Sequence, residues 1–206
     1  MVQYAINWDI FMQNPREDLQ ILPLIRDRWS PRAFDGSTID KATLETLLEA
    51  ARWAPSSHNQ QPWRFAFSLR DDANWQNFLN LLIPFNQEWA ASASALVFIA
   101  SEREGIAPDG TEFTSYSHSF DAGAAWAYLA LEALSRGFHT HAMTGLEFEQ
   151  ATTSLGLPDR FRLEAAVAIG RIGDPAQLNE FMREREGPSD RLPLAELVGH
   201  GKFEVS

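Results

Sequence analysis

The stretch FDAGAAWAYLALEALSRG, beginning at residue 120, limits what this chain can fold into more than any other. It reads as one helix over about residues 120 to 136, apolar nearly all round. A helix with so little polar surface has to be covered on most of its sides. Gly123, Ala124, Ala125 and Ala127 allow close backbone approach, and Arg136 with Gly137 supplies a basic last turn and a C′ residue. Such a helix needs a deep core or a large subunit interface. A chain of 206 residues rarely needs it for a monomer alone, which favours an extensive dimer.

The other elements are shorter. Residues 18–28 carry an apolar stripe at Leu19, Leu22 and Ile25, with Pro23 starting or kinking a short helix. A stronger helix is expected over about residues 40 to 54. Asp40 is its N-cap, Leu44, Leu47, Leu48 and Ala51 line one face, and Pro55 stops it. WRFAFSL (63–69), ALVFIA (95–100) and EAAVAIG (164–170) read as strands, the last two as buried ones. Residues 74–82 and 147–155 read as helices and DGTEFTSYSHS (109–119) as a polar loop; LPLAELV (192–198) is apolar enough to dock on something. Helices and strands mix without regular βαβ alternation. The expectation is therefore one α+β domain over residues 1–206, with a central sheet packed against helices.

Composition narrows function by exclusion. With no cysteine there is no disulfide, thiolate metal site or cysteine nucleophile, which fits a reducing cytoplasm. A formal charge of −11 disfavours nucleic acid and anionic lipid. No apolar run reaches the roughly 18 residues of a spanning helix, and the N-terminus has no signal-peptide pattern. G-x-G-x-x-G, P-loop and G-x-S-x-G turns are all missing.

Three constellations remain. In RWSPR, Arg28, Ser30 and Arg32 are spaced so that an extended segment puts them on one side, where two guanidinium forks and a hydroxyl suit a phosphate monoester. Solvated arginines beside Asp27 and Asp35 are the other reading. In WAPSSHNQQPW, residues 53–63, Ser56, Ser57, His58, Asn59, Gln60 and Gln61 form either a polar turn or a set of donors and acceptors around a ligand. His139 and His141 would share one face of a strand, with no third metal ligand evident nearby, so no metal site is expected. His58 and His118 read as polar loop residues.

Taken in order, RWSPRAF, a capped helix, ARWAPSSHNQQPWRF, NQEWAASASALVFIA, the alanine-rich helix, HAMTGLEFEQ and DRLPLAELV resemble the FMN-dependent nitroreductase family over nearly the whole chain. The resemblance implies an α+β nitroreductase-like fold with a central, mostly antiparallel sheet and an intertwined homodimer with FMN at the subunit interface. It also implies ping-pong hydride transfer from NAD(P)H to nitroaromatics, quinones or related acceptors, with no protein nucleophile. A flavin-binding protein without NAD(P)H turnover, its flavin covered by Trp29 and Trp89, is one alternative. A specialised dehalogenase or flavin-fragmenting enzyme is another.

Carried over, Arg28, Ser30 and Arg32 contact the flavin phosphate, ribityl chain and pyrimidine edge, and Arg191 returns to the phosphate. Pro55, Ser56, Ser57 and Asn59 come from the other subunit, supported by Gln61. Asn86 meets the isoalloxazine edge, and Met143, Thr144 and Gly145 bring a backbone N–H towards flavin N5. This chain departs from the pattern at Trp29, at Trp89 where many members have lysine, and at Thr144 where many have glutamate.

Overall fold

The computed structural model describes residues 20–107 and 109–204. Four antiparallel strands form the central sheet in the order β1-β2-β6-β5: β1 Trp63–Leu69, β2 Ala95–Glu102, β6 Phe161–Gly170 and β5 His139–Met143. A bulge interrupts β2 against β6 at Ile99 and Ala100.

Both faces of this sheet are covered, which is why β2 and β6 appear in the sequence as continuous apolar runs. On one face α2 (Lys41–Arg52) and α5 (His118–Ser135) pack Leu44, Leu47, Ala51, Leu129 and Ala133 onto Val97, Ile99, Val167 and Ile169. On the other, α3 (Trp75–Leu79), α4 (Pro84–Ala90), α6 (Phe148–Ser154) and α7 (Glu180–Arg183) pack Phe78, Trp89, Ala90, Ala151 and Met182 onto Leu96, Phe98, Ala166 and Ala168. Leu44 and Leu47 are fully buried, each contributing about 1.5–3 kcal/mol.

Local chemistry sets the boundaries. Asp40 accepts from the Thr43 backbone N–H at 2.8 Å and caps α2, which ends before Pro55. Pro23 opens the short α1, Pro23–Asp27, at its first turn; Leu19 lies outside the described residues. Gly137 closes α5 with φ +76°.

Two expectations change. The helix expected over 74–82 ends at Leu79, because Leu81 and Leu82 turn to bring Leu82 into a bridge with Leu146. The polar loop expected over 109–119 contains a strand, β4 Glu112–Thr114, paired with β3 Glu104–Ile106, and α5 already begins at His118. Each hairpin strand has three residues, too few to show an alternation. Most of α5 is buried or half-buried within the chain, as its apolar character requires, while Phe120 and Tyr128 remain 82% and 43% exposed.

Candidate functional site

The irregular segment from Arg28 to Ala33 runs past the face of β5 that carries His139 and His141. The Glu186 carboxylate, just after α7, accepts from the Arg32 N–H at 2.9 and 3.1 Å and from the Ala33 N–H at 2.9 Å. His141 Nδ1 meets the Pro31 carbonyl at 3.0 Å. Two backbone anchors therefore fix the segment that presents Arg28, Ser30 and Arg32. Arg28 Nη1 lies 3.2 Å from Ser30 Oγ, and the half-buried Arg32 guanidinium has no carboxylate within ion-pair reach among the described residues. The nearby Glu186 carboxylate is spent on backbone N–H groups, so the Arg32 guanidinium keeps donors that an anion can take.

A chain of contacts ties this segment to the next group of residues. The His141 ring lies 4.6 Å from the Trp89 ring. Trp89 Nε1 donates to Asn86 Oδ1 at 3.3 Å, and Asn86 Nδ2 donates to the Gly145 carbonyl at 3.0 Å. Met143, Thr144 and Gly145 continue from the end of β5. A Cβ at Gly145 would stand 2.5 Å from Asn86 Nδ2 and 2.8 Å from Ile83 Cδ1, so only glycine permits this approach. Arg28, Ser30, Arg32, Asn86, Met143, Thr144 and Gly145 thus belong to one connected region.

His139 and His141 are both pushed down to about 4. Burial is the main cause for each. Arg28 adds to it at His139, and Arg32 and Arg28 add to it at His141 against the opposing effect of the Pro31 bond. Both are neutral near pH 7.

The second set sits elsewhere. Pro55, Ser56, Ser57, Asn59 and Gln61 occupy the turn between α2 and β1, which includes a 3₁₀ turn at Ser57–Asn59. His58, Asn59 and Gln61 have φ of 50°, 55° and 50°, left-handed positions on either side of a right-handed Gln60 that each cost on the order of 1 kcal/mol or more and need tertiary support. Support comes from Asp121, near the start of α5: its Oδ2 accepts from the Ser57 N–H at 3.1 Å and from Ser117 Oγ at 3.0 Å. Ser56 Oγ accepts from the Gln61 N–H, and Gln61 Nε2 donates to the Asn59 carbonyl. Gln60 Nε2 reaches the Ile106 carbonyl on β3 at 2.9 Å.

Arg191 stands apart from both sets, exposed, with Nη1 donating to the Ser189 and Asp190 carbonyls. Arg64, another arginine near a breaker, pairs with Glu102.

Glu186 and Asp121 anchor the two sets and escaped sequence reasoning. A carboxylate that serves backbone N–H groups 153 and 154 positions away leaves no local pattern. His118, expected in a polar loop, instead opens α5. Its Nδ1 lies 2.7 Å from the buried Ser101 Oγ, which in turn lies 2.5 Å from Glu164 Oε1, and the cluster ties the start of α5 to the sheet.

The Nitroreductase family model matches residues 25–83, which span the arginine segment, α2 and the left-handed turn. An oxygen-insensitive NADPH nitroreductase of Helicobacter pylori (strain ATCC 700392 / 26695) is 38% identical over 194 residues, covering 87% of this chain and 85% of that protein. The chain belongs to the nitroreductase family. A solved structure described as an oxidoreductase containing FMN superposes with a TM-score of 0.90 at 45% identity, covering 95% of this chain and all of that one. A putative nitroreductase from Desulfovibrio desulfuricans, solved in complex with FMN, gives a TM-score of 0.68 at 26% identity over 94% of this chain. The nitroreductase-like α+β fold follows from these matches, and with it the mainly antiparallel sheet flanked by helices.

Proposed function

We propose that this nitroreductase-family chain is an FMN-dependent oxidoreductase that takes reducing equivalents from NAD(P)H and passes them to a nitroaromatic, quinone or related acceptor. The observation that carries this reading is the half-buried donor set of Arg28, Ser30 and Arg32, linked through His141, Trp89 and Asn86 to Gly145. Two guanidinium groups and a hydroxyl suit a phosphate and its neighbouring polyol, and the Asn86–Gly145 contact holds the Thr144–Gly145 backbone in a fixed position beside them. When bound, FMN supplies the hydride chemistry between the nicotinamide and the acceptor.

The chain's own residues hold, orient and tune. Arg28 and Ser30 bind the phosphorylated end. Arg32 places positive charge where the reduced cofactor is richest in electrons. Asn86 and the backbone of Thr144 and Gly145 fix the other edge. Trp29 and Trp89 are 7% and 2% exposed, so neither is free to cover a bound ring, and the alternative of a flavin merely stored beneath them loses its motive.

The functional unit in this reading is a homodimer. Exposed apolar residues on α5 (Phe120, Tyr128) and along the C-terminal segment (Leu192, Leu194, Leu197, Val198) call for a covering partner. The left-handed turn with Pro55, Ser56, Ser57, Asn59 and Gln61 then serves the partner's cofactor, and Arg191 reaches its phosphate only on assembly.

The test is the absorption spectrum of the purified protein, alone and with NADH or NADPH. Flavin bands that bleach with either donor support the proposal. A colourless protein that does not take up added FMN overturns it. Mixing subunits tests the shared site. An Arg28→Ala chain paired with a Ser57→Tyr chain regains one intact site if the two sets act across subunits, and none if they act within one.

A further inference from the structure

The His139–Thr140–His141 stretch of β5 faces the arginine segment. As alternate residues of β5, the two histidines lie on one face, roughly 7 Å apart. Each sits against the arginine segment. The His139 and Trp29 rings are 6.3 Å apart edge to face, next to Arg28, and the Pro31 carbonyl that His141 meets adjoins Arg32.

Their nitrogens are committed differently. His141 Nδ1 has only a carbonyl acceptor, so it carries the proton and leaves Nε2 as a lone pair. His139 Nδ1 is buried without any partner, whereas its Nε2 is not closed off. A proton on Nδ1 would be a buried donor with nothing to bond, so the neutral ring keeps its proton on Nε2, where a ligand can accept it. One ring therefore offers a donor beside Arg28, and the next offers an acceptor beside Arg32. A metal is not the natural occupant: His141 Nδ1 is already engaged, and no group of three ligating side chains exists among the described residues.

We propose that His139 and His141 are ligand-binding residues of the site: His139 donates from Nε2 to a phosphate oxygen beside Arg28, and His141 accepts at Nε2 from a hydroxyl or imide N–H. This rests on the flavin reading, because FMN carries both chemistries in one molecule. Neutral rings suit the role, since they add hydrogen bonds beside two arginines without a third positive charge.

The experiment titrates flavin-free wild-type protein and variants with FMN and with riboflavin, which lacks the phosphate. His139→Ala weakens FMN by about tenfold and leaves riboflavin within about twofold; His139→Gln, which keeps an N–H donor, restores most of the loss. His141→Ala weakens both ligands alike. Nitrogen-15 spectra of histidine-labelled wild-type protein show the Nε2–H tautomer for His139 and Nδ1–H for His141, a readout independent of any variant's folding. Equal loss of FMN and riboflavin in His139→Ala, no loss in either variant, or an Nδ1–H tautomer at His139 overturns the assignment. A wild-type protein that binds neither ligand overturns the flavin reading itself, and this inference with it.

Discussion

Asn86 and Gly145 are locked together, the side-chain amide donating to the backbone carbonyl at 3.0 Å with no room for a Cβ between them. Gly145→Ala must push away the Asn86 amide or the Ile83 side chain. It should cost about 1–3 kcal/mol of stability by overpacking. Flavin affinity should fall in the same variant, because Asn86 and the Thr144–Gly145 backbone move together. Chemical denaturation and flavin titration measure the two effects; a variant unchanged in both would contradict the close approach.

Arg28→Ala removes a charged donor from the proposed phosphate site. The expected loss in FMN binding is roughly 1.5–3 kcal/mol. Riboflavin should bind nearly as before. Fluorescence titration of the flavin-free protein gives both numbers, and unchanged FMN affinity would remove Arg28 from the phosphate.

Glu186→Gln keeps the size of the side chain and removes its charge. The Arg32 and Ala33 N–H groups then share a neutral acceptor, which should cost about 1–2 kcal/mol of stability. The arginine segment loosens, so flavin affinity should drop although Glu186 bonds only backbone. Normal flavin binding in this variant would show that the segment holds its shape without the clamp.

Acid should unfold the flavin-free protein early. The folded state holds His139 and His141 down to about 4, against an ordinary value of 6.5. The unfolded chain therefore takes up these protons first. Stability from this source is complete above about pH 6.5 and declines as the pH falls towards 4, by up to about 3 kcal/mol per histidine. Denaturation midpoints between pH 7 and 4.5 should show the slope, and a His139→Gln/His141→Gln double variant should flatten it.

How much of this was legible depended on how local each cause is. Asp40 and Pro55 bracket α2 with chemistry contained in the helix itself, and the apolar runs of β2 and β6 report a sheet covered on both faces. Helix α4 is not legible because its seven residues, Pro84 included, are too few to show a period, although it carries both Asn86 and Trp89. The three-residue strands of the β3–β4 hairpin hid for the same reason. The motif order pointed to Arg28, Ser30, Arg32, Asn86 and Gly145, yet nothing in it announced that Trp89 would stack on a neutral His141. Nor could spacing reveal Asp121 under Ser57 or Glu186 under Arg32, since both pairings exist only after the chain has folded back on itself.

The Glu186 clamp also has a meaning in time. A ribosome making this chain releases Arg28 and Arg32 early, but the carboxylate that holds their backbone emerges 154 residues later than Arg32. At about 5–20 residues per second, the segment waits several seconds or longer before it can set. The four-stranded sheet itself is complete only when Gly170 has emerged, sixteen residues before Glu186, so a chain released between the two would have every strand but a loose cradle.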